Sequence, residues 1–302
     1  MVVRGFLMGS ADIVPGVSGG TVALVLGIYE RLVRNVRTGA SALGSLVRGA
    51  FGVAGERLRS IEWRFLIPLL LGIGLAIVTL ASVLDRLLEE EPQNTAATFF
   101  GLIVGSIAVA WRLVGRWDGA RLGMSAVVAV AAFVVLGLRG DEITDPSLLL
   151  FLGAGSLAIV AMILPGISGS FILLMVGMYE AVISAVDDRV GSHLVVFGVG
   201  AILGLALFST LLDRLLSNHH DTVMAALIGL MAGSLRVLWP WPDGTDTAHL
   251  GAPESWGLPL LLAVAGAAAV VVLGLFARDA PVVGDSGPDR VRDSQQPPPP
   301  EH

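Results

Sequence analysis

The chain has no cysteine, no lysine and few charged side chains. Without cysteine it has no disulfide bond, no thiol nucleophile and no thiolate ligand for a metal. All 19 basic residues are arginine, so the guanidinium group is the only permanently charged side chain that can hold an anion. Charged residues make up 15% of the 302 residues and hydrophobic residues 54%, which is too little polar surface for a soluble globule. We therefore expect an integral membrane protein.

Six apolar stretches are each long enough to cross a hydrocarbon core of about 30 Å as a helix. They are residues 65–84, 95–111, 122–138, 192–212, 222–239 and 257–277. From Asp279 the chain becomes polar and ends in a run of prolines, so we expect residues 279–302 to form a disordered cytoplasmic tail. The chain has no Walker A pattern, which argues against direct ATP hydrolysis. We expect no catalytic residue, no metal, no cofactor and no nucleic-acid partner.

The chain contains an internal duplication. Residues 13–30 read IVPGVSGGTVALVLGIYE and residues 163–180 read ILPGISGSFILLMVGMYE, an ungapped match at an offset of 150. LDRLL at 84–88 and GLIVGS at 101–106 recur as LDRLL at 212–216 and GLMAGS at 229–234, at an offset of 128. The difference between the offsets is about the length of an arginine-rich amphipathic segment at residues 37–60. We therefore divide the chain into a first repeat unit at 1–140, with a cytoplasmic insertion at 37–60, and a second unit at 147–278.

Loop charges indicate how the two units are oriented. The arginines of residues 31–64 place that segment in the cytoplasm, and the acidic loops at 89–92 and 141–145 lie outside. Residues 3–36 and 147–186 are each too long for one straight span and are interrupted by Pro-Gly-x-Ser-Gly. If each segment is a hairpin that enters and leaves on one side, three spans follow it in each unit, and the units have opposite orientations. The alternative is that each segment forms one or two kinked spanning helices.

The expected fold is therefore an all-α polytopic membrane protein. It is an inverted repeat of two units, each a re-entrant helical hairpin plus three transmembrane helices, with the N- and C-termini in the cytoplasm. Internal repeats with broken hydrophobic segments at corresponding positions are typical of secondary transporters, whose substrate sites lie at such breaks.

Each break can act as an anion receptor. A helix that starts after Pro-Gly-x-Ser-Gly has unsatisfied N–H groups, a positive dipole end and a serine that can cap it. If the two breaks meet near the membrane midplane, their backbone can surround one phosphate. The candidate substrate-binding residues of the breaks are Pro15, Gly16, Ser18, Gly19, Gly20, Thr21, Pro165, Gly166, Ser168, Gly169 and Ser170. The alternative is that both serines only cap their own helices and the glycines only permit close packing.

Four charged residues are further candidates. Arg236 follows the GLMAGS block by two residues and is the arginine best placed to reach a phosphate, although it can also extend to the membrane interface. Asp12 precedes the first break within an apolar segment, where carboxylates are usually functional. Glu30 and Glu180 follow the two equivalent tyrosines. These three carboxylates are candidates for coupling transport to H⁺ or Na⁺.

These motifs resemble the polyprenyl-phosphate transporter family. GSADIVPGVSGGTVALVLGIYERL, ILPGISGSFILLMVGMYEAVI and the GLIVGS and GLMAGS blocks carry the likeness over about residues 4–277. The resemblance implies a multi-pass transporter of the inner (cytoplasmic) membrane. It would act as a flippase that returns undecaprenyl phosphate, the lipid carrier of cell-envelope synthesis, to the inner leaflet. Ser170 stands where the first repeat has Gly20, so the two half-sites differ.

Two other functions fit parts of the pattern. Undecaprenyl-pyrophosphate phosphatase is also a small inverted-repeat membrane protein with a Pro-Gly-x-Ser motif, but there arginine follows the serine and a glutamate pair lies nearby. Here glycine follows both serines and the breaks have no histidine or glutamate pair, so the residues favour a transporter over this enzyme. The same breaks would also suit a small-anion channel or carrier.

Overall fold

The computed structural model describes residues 1–14, 17–242, 250–253 and 256–279, and all the regular secondary structure in these ranges is helical. The helices are α1 (Val2–Asp12), α2 (Gly19–Val25), α3 (Tyr29–Val47), α4 (Phe51–Ser60), α5 (Trp63–Glu90), α6 (Pro92–Trp111), α7 (Gly119–Val135), α8 (Leu148–Ile163), α9 (Gly169–Met175), α10 (Tyr179–Asp187), α11 (Gly191–Ser234), a 3₁₀ helix (Leu235–Leu238) and α12 (Gly257–Asp279). The all-helical expectation is confirmed for this part of the chain. Residues 280–302, most of the expected tail, lie outside it.

Several helices are long and apolar enough to cross a membrane, so the protein is a multi-pass membrane protein. Within the described ranges, four helices meet this condition: α5, α6, α11 with its 3₁₀ extension, and α12. A fifth span results if α9 and α10, which are bent by 114° at their junction, are counted together. The expected span at 122–138 corresponds to α7, which has only 17 residues.

The expected span at 192–212 falls within α11, and the expected span at 222–239 covers the C-terminal part of α11 and the 3₁₀ helix. The backbone of α11 is non-helical at His219, where φ is −138° and ψ is 44°. This kink divides α11 into an N-terminal part that packs on α8 and a C-terminal part that packs on α7. The two parts therefore take the places of two separate helices, although only one residue interrupts them.

Each repeated segment is interrupted twice, not once as the hairpin expectation assumed. After the Pro-Gly-x-Ser-Gly break, α2 ends at a turn where Gly27 has φ +66°, and α9 ends at an equivalent turn where Gly177 has φ +69°. In both turns the residue after the glycine donates its N–H to a carbonyl oxygen five residues earlier. Ile28 N donates to Ala23 O and Met178 N donates to Leu173 O, each at 2.9 Å. This is the glycine-dependent way of ending a helix, and it separates short helices on either side.

The two repeats use the same glycines for the same helix contacts. A Cβ on Gly72 of α5 would overlap the carbonyl oxygen of Val2 in α1, and a Cβ on Gly200 of α11 would overlap that of Leu152 in α8. The four residues are equivalent under the offsets of 128 and 150. Glycine at these sites lets the helix backbones touch, as in membrane helix pairs with small residues at the contact.

The GxxxG pairs join one repeat to the other. A Cβ on Gly101 of α6 would overlap the carbonyl of Ala263 in α12, and a Cβ on Gly229 of α11 would overlap that of Ser125 in α7. Glycine at these positions therefore lets helices of the two units approach closely. Because α6 packs on the last helix of the second unit and α7 packs on α11, the two units exchange partners and do not fold as separate bodies.

The insertion forms a helical hairpin. We expected one amphipathic stretch within residues 37–60, but α3 continues to Val47, the chain turns at Gly49 with φ +73°, and α4 returns. Arg57 of α4 donates from Nη1 to Ser41 O and Ser45 Oγ of α3, both at 2.8 Å. These two hydrogen bonds hold α4 against α3.

Candidate functional site

The two breaks are in direct contact. Thr21 Oγ1 accepts a hydrogen bond from Gly166 N at 2.8 Å. Ser18 Oγ donates to Met162 O and the hydroxyl of Tyr29 donates to Ile163 O, both at 3.1 Å. Ser18 and Thr21 are each only 1% exposed, so these bonds lie inside the protein. Segments that are 150 residues apart in sequence therefore form one buried polar region.

The start of α2 is occupied by groups from the first repeat itself. Ser18 has extended backbone and its side chain accepts the N–H of Gly20 at 3.0 Å, as an N-cap does. Asp12 Oδ1 accepts the N–H of Gly19 at 2.6 Å. A carboxylate therefore sits at the N–H groups that were expected to receive an anion.

The start of α9 is built differently. Ser168 makes no capping bond to α9, and its hydroxyl lies 2.7 Å from that of Ser170. Met162 takes the position equivalent to Asp12 and offers no hydrogen-bond acceptor of comparable strength. A Cβ on Gly169 would lie 2.9 Å from Met162 Cγ, just as a Cβ on Gly19 would crowd the Asp12 carboxyl group. The two half-sites have one backbone design but different chemistry.

The turn of the second break requires glycine. Gly166 has φ +89°, a conformation that other residues rarely adopt. A Cβ there would lie 2.7 Å from Ser234 Oγ and 3.0 Å from Met231 Cα. The GLMAGS block thus packs directly against the second break, while Ser234 Oγ itself donates to Met231 O at 2.8 Å. Pro165 and Ile167 of this break are buried.

A small cavity lies beside the contact between the breaks. It has a volume of about 110 Å³ and a mostly apolar lining, in which the polar groups belong to Asp12, Tyr29, Ser209 and the backbone of Gly19 and Gly20. For comparison, a cavity of roughly 150 Å³ holds a benzene molecule. The cavity therefore has room for one small group.

Ser209 was not expected from the sequence. It lies in α11, is fully buried, and its hydroxyl has no hydrogen-bond partner within the described part of the chain. Its equivalent in the first repeat is Ala81, so the duplication gave no signal for it. The only hint was a polar residue inside a strongly apolar span. A buried hydroxyl without a hydrogen-bond partner, in a residue that lines a cavity, is suited to contact a ligand.

The remaining candidates lie elsewhere. The guanidinium of Arg236 stacks over the ring of Phe133 at 4.8 Å, and a Cβ on Gly137 would overlap it, so the side chain lies against the end of α7. Glu30 is exposed and contacts Nε2 of His220 at 3.0 Å. Glu180 is exposed in a separate open cavity. Of the candidate carboxylates, only Asp12 lines the cavity between the breaks. Pro15 and Gly16 lie outside the described residues.

Comparison with known proteins shows the family of the chain. The family model described as undecaprenyl phosphate translocase-like matches residues 8–252, which include both breaks. The chain belongs to this family. Among curated members, a polyprenyl-phosphate transporter of Vibrio cholerae is 40% identical over 80% of this chain and 77% of its own length. One of the same name from Staphylococcus aureus is 29% identical over 79% of this chain and 85% of its own.

No solved structure matches the chain. The matched residues end at 252, before α12, yet α12 packs along α6 through the contact of Gly101 with Ala263. The last helix, α12, thus covers part of α6, which belongs to the first repeat.

Proposed function

We propose that the protein transports a polyprenyl phosphate, undecaprenyl phosphate in particular, between the leaflets of the cytoplasmic membrane and so recycles the carrier lipid. The observation that carries this proposal is the contact of Thr21 with Gly166, which brings the two broken segments together in one buried region. The relatives named polyprenyl-phosphate transporters support the choice of substrate. Broken helices inside a membrane protein are tolerated where the protein buries them or where they line a cavity, and here they adjoin a cavity that contains the carboxyl group of Asp12 and the hydroxyl of Ser209.

The transport cycle follows from the duplication. Two units of opposite orientation have two equivalent states, each open to one leaflet, and rocking of one unit on the other exchanges them. The contact of Thr21 with Gly166 supports this scheme because it brings together one break from each unit. In this orientation both termini and the α3–α4 hairpin are cytoplasmic, and the loop at 141–145 is external.

Phosphate binding involves the residues of both breaks, with the uncapped start of α9 as the more accessible receptor. Ser209 adds a hydroxyl from the cavity wall. Arg236, which lies in the 3₁₀ helix that follows Ser234, supplies a positive charge. Asp12 competes with the phosphate for Gly19 and is the group through which H⁺ or Na⁺ is coupled to transport. The exposed Glu30 and Glu180 are secondary candidates for this coupling.

The test is reconstitution of the purified protein in lipid vesicles. We expect loss of undecaprenyl phosphate from the outer leaflet without release of inorganic phosphate from undecaprenyl diphosphate. Phosphate release would instead assign a phosphatase. Movement of inorganic phosphate or other small anions, with no movement of the lipid, would assign an anion carrier.

A further inference from the structure

A second, apolar cavity lies on the other side of the first break. It has a volume of about 310 Å³ and lies among α1, α2, α5, α6 and α12, so both repeat units contribute to it. Its inner end is formed by Val17 and Thr21, and its outer edge by Val83, which is 51% exposed. We call it the α5–α12 cleft. The cleft leads from the surface of the helix bundle to the contact between the breaks.

The lining of the cleft offers almost no polar group. The hydroxyl of Ser10 donates to Phe6 O at 2.8 Å and that of Ser106 donates to Leu102 O at 2.7 Å. Thr21 is engaged with Gly166. All the other lining residues are apolar. Such a surface is suited to hydrocarbon and would leave a phosphate or an ion without partners.

The second repeat fills the equivalent space. Thr21 corresponds to Phe171, and Phe171 is buried in a packed cluster with Ile167, Ala161 and Ala132. Ile167 and Ala161 are the equivalents of Val17 and Ala11 at the offset of 150. Ala132 is the equivalent of Val270 because the contacts of Gly229 with Ser125 and of Gly101 with Ala263 align α7 with α12 at an offset of 138. Val17, Ala11 and Val270 all line the cleft. Only one of the two equivalent places in the structure is therefore open as a cleft. The smaller side chain of Thr21, compared with that of Phe171, contributes to this difference.

We propose that the α5–α12 cleft binds the first isoprene units of the polyprenyl phosphate, next to the phosphate group. This rests on the proposed function, because the cleft ends at Thr21, where the phosphate receptors meet. Scaled from a cavity of roughly 150 Å³ that holds benzene, the cleft has room for about two isoprene units. The rest of the chain stays in the membrane beyond Val83.

An isoprenoid chain fits this cleft better than a straight acyl chain does. Its methyl branches make it thicker, and its double bonds make it stiffer, so it loses less conformational freedom on binding in a wide cleft. The occupant is thus a branched, unsaturated chain attached to a phosphate, which distinguishes the carrier lipid from the bulk phospholipids around it.

The test measures binding of short isoprenyl phosphates to the purified full-length chain in detergent by calorimetry. The probes are isopentenyl phosphate, geranyl phosphate with one more isoprene unit, and an unbranched alkyl phosphate with as many carbons as geranyl phosphate. We expect wild type to bind geranyl phosphate at least about tenfold more tightly than isopentenyl phosphate, since an additional isoprene unit is buried. The unbranched probe should bind more weakly than geranyl phosphate.

Two variants and a control assign this preference to the cleft. Val83→Phe narrows the mouth, and Thr21→Phe places at the inner end the residue that the second repeat has there. Both should bring the ratio of the two isoprenyl affinities close to one. Val78→Phe, at a site of α5 that is 84% exposed and outside the cleft, should keep the wild-type ratio.

Each other outcome has a distinct meaning. A preference for geranyl phosphate that survives both Val83→Phe and Thr21→Phe would overturn the proposal, as would no preference in wild type. Equal binding of the unbranched probe would make the cleft a general site for alkyl chains and would overturn the assignment to isoprenoids. If neither the short probes nor undecaprenyl phosphate binds, the proposed function itself fails.

Discussion

Replacement of Asp12 by asparagine tests the central feature of the site, a carboxylate at the start of α2. The bond from Gly19 N to Asp12 Oδ1 is 2.6 Å long and has a carboxylate as its acceptor, which makes it a charge-assisted hydrogen bond. A hydrogen bond to a charged group contributes about 1.5–3 kcal/mol and a neutral one about 0.5–1.5 kcal/mol. Asparagine should therefore hold Gly19 less strongly by about 1–1.5 kcal/mol, and a phosphate should displace it more easily.

We expect Asp12→Asn to bind a polyprenyl phosphate about tenfold more tightly than wild type at neutral pH, since about 1.4 kcal/mol corresponds to a factor of ten. The difference should shrink in acid, where the wild-type carboxylate gains a proton. In vesicles the variant should no longer respond to a pH gradient. Affinities measured by calorimetry in detergent and transport measured across pH give the two readouts.

The control for loss of a carboxylate is Asp85→Asn. Asp85 is exposed on α5, outside the cavity between the breaks, and its replacement should leave the affinity unchanged. The reasoning would be refuted if Asp12→Asn bound the lipid more weakly than wild type. That result would mean that the carboxylate assists binding, for example by holding a cation next to the phosphate.

Three further predictions concern the contact of the breaks, the arginine and the orientation. Gly20→Ala places a Cβ 2.8 Å from Ile163 O, so it should separate the breaks, lower the free energy of unfolding by about 1–3 kcal/mol and abolish transport. The control Gly153→Ala, whose Cβ would have no atom within 4 Å, should change neither thermal unfolding nor transport. If Arg236 makes bidentate hydrogen bonds to the phosphate, Arg236→Lys should weaken lipid binding and Arg236→Gln should nearly eliminate it. An unchanged affinity of Arg236→Gln for the lipid would exclude this role. Ser60→Cys and Thr144→Cys, introduced singly in this cysteine-free chain, should react with impermeant thiol reagents from opposite sides of the membrane, and labelling of both from one side would contradict the inverted orientation.

Local sequence was sufficient for the class of protein and for several of its long helices. Hydrophobic runs predicted α5, α6 and α12 because the cost of placing a charge in lipid leaves few alternatives for such segments. The turns at Gly27 and Gly177 were not predicted, although only glycine readily adopts the positive φ that both residues have. The duplication also predicted that equivalent residues would have equivalent roles, and the contacts of Gly72 and Gly200 agree with this.

Local sequence was less reliable where several weak signals competed. The arginines of residues 37–60 suggested one amphipathic stretch, but a single left-handed glycine at position 49 divided it into two packed helices. His219 interrupts α11 without glycine or proline, so no local rule indicated that kink. The shape of these elements depends on the helices they pack against.

Only the tertiary structure decided what the two motif copies do together. The bond between Thr21 and Gly166 joins segments far apart in the chain, and their distance in space depends on how all the helices between them pack. The same packing buries Ser209 at the cavity and leaves the α5–α12 cleft open beside Thr21, while Phe171 lies in a packed cluster in the other half. Periodicity and composition determine which residues can enter a core, whereas the volume left between helices follows from the fit of all their side chains at once.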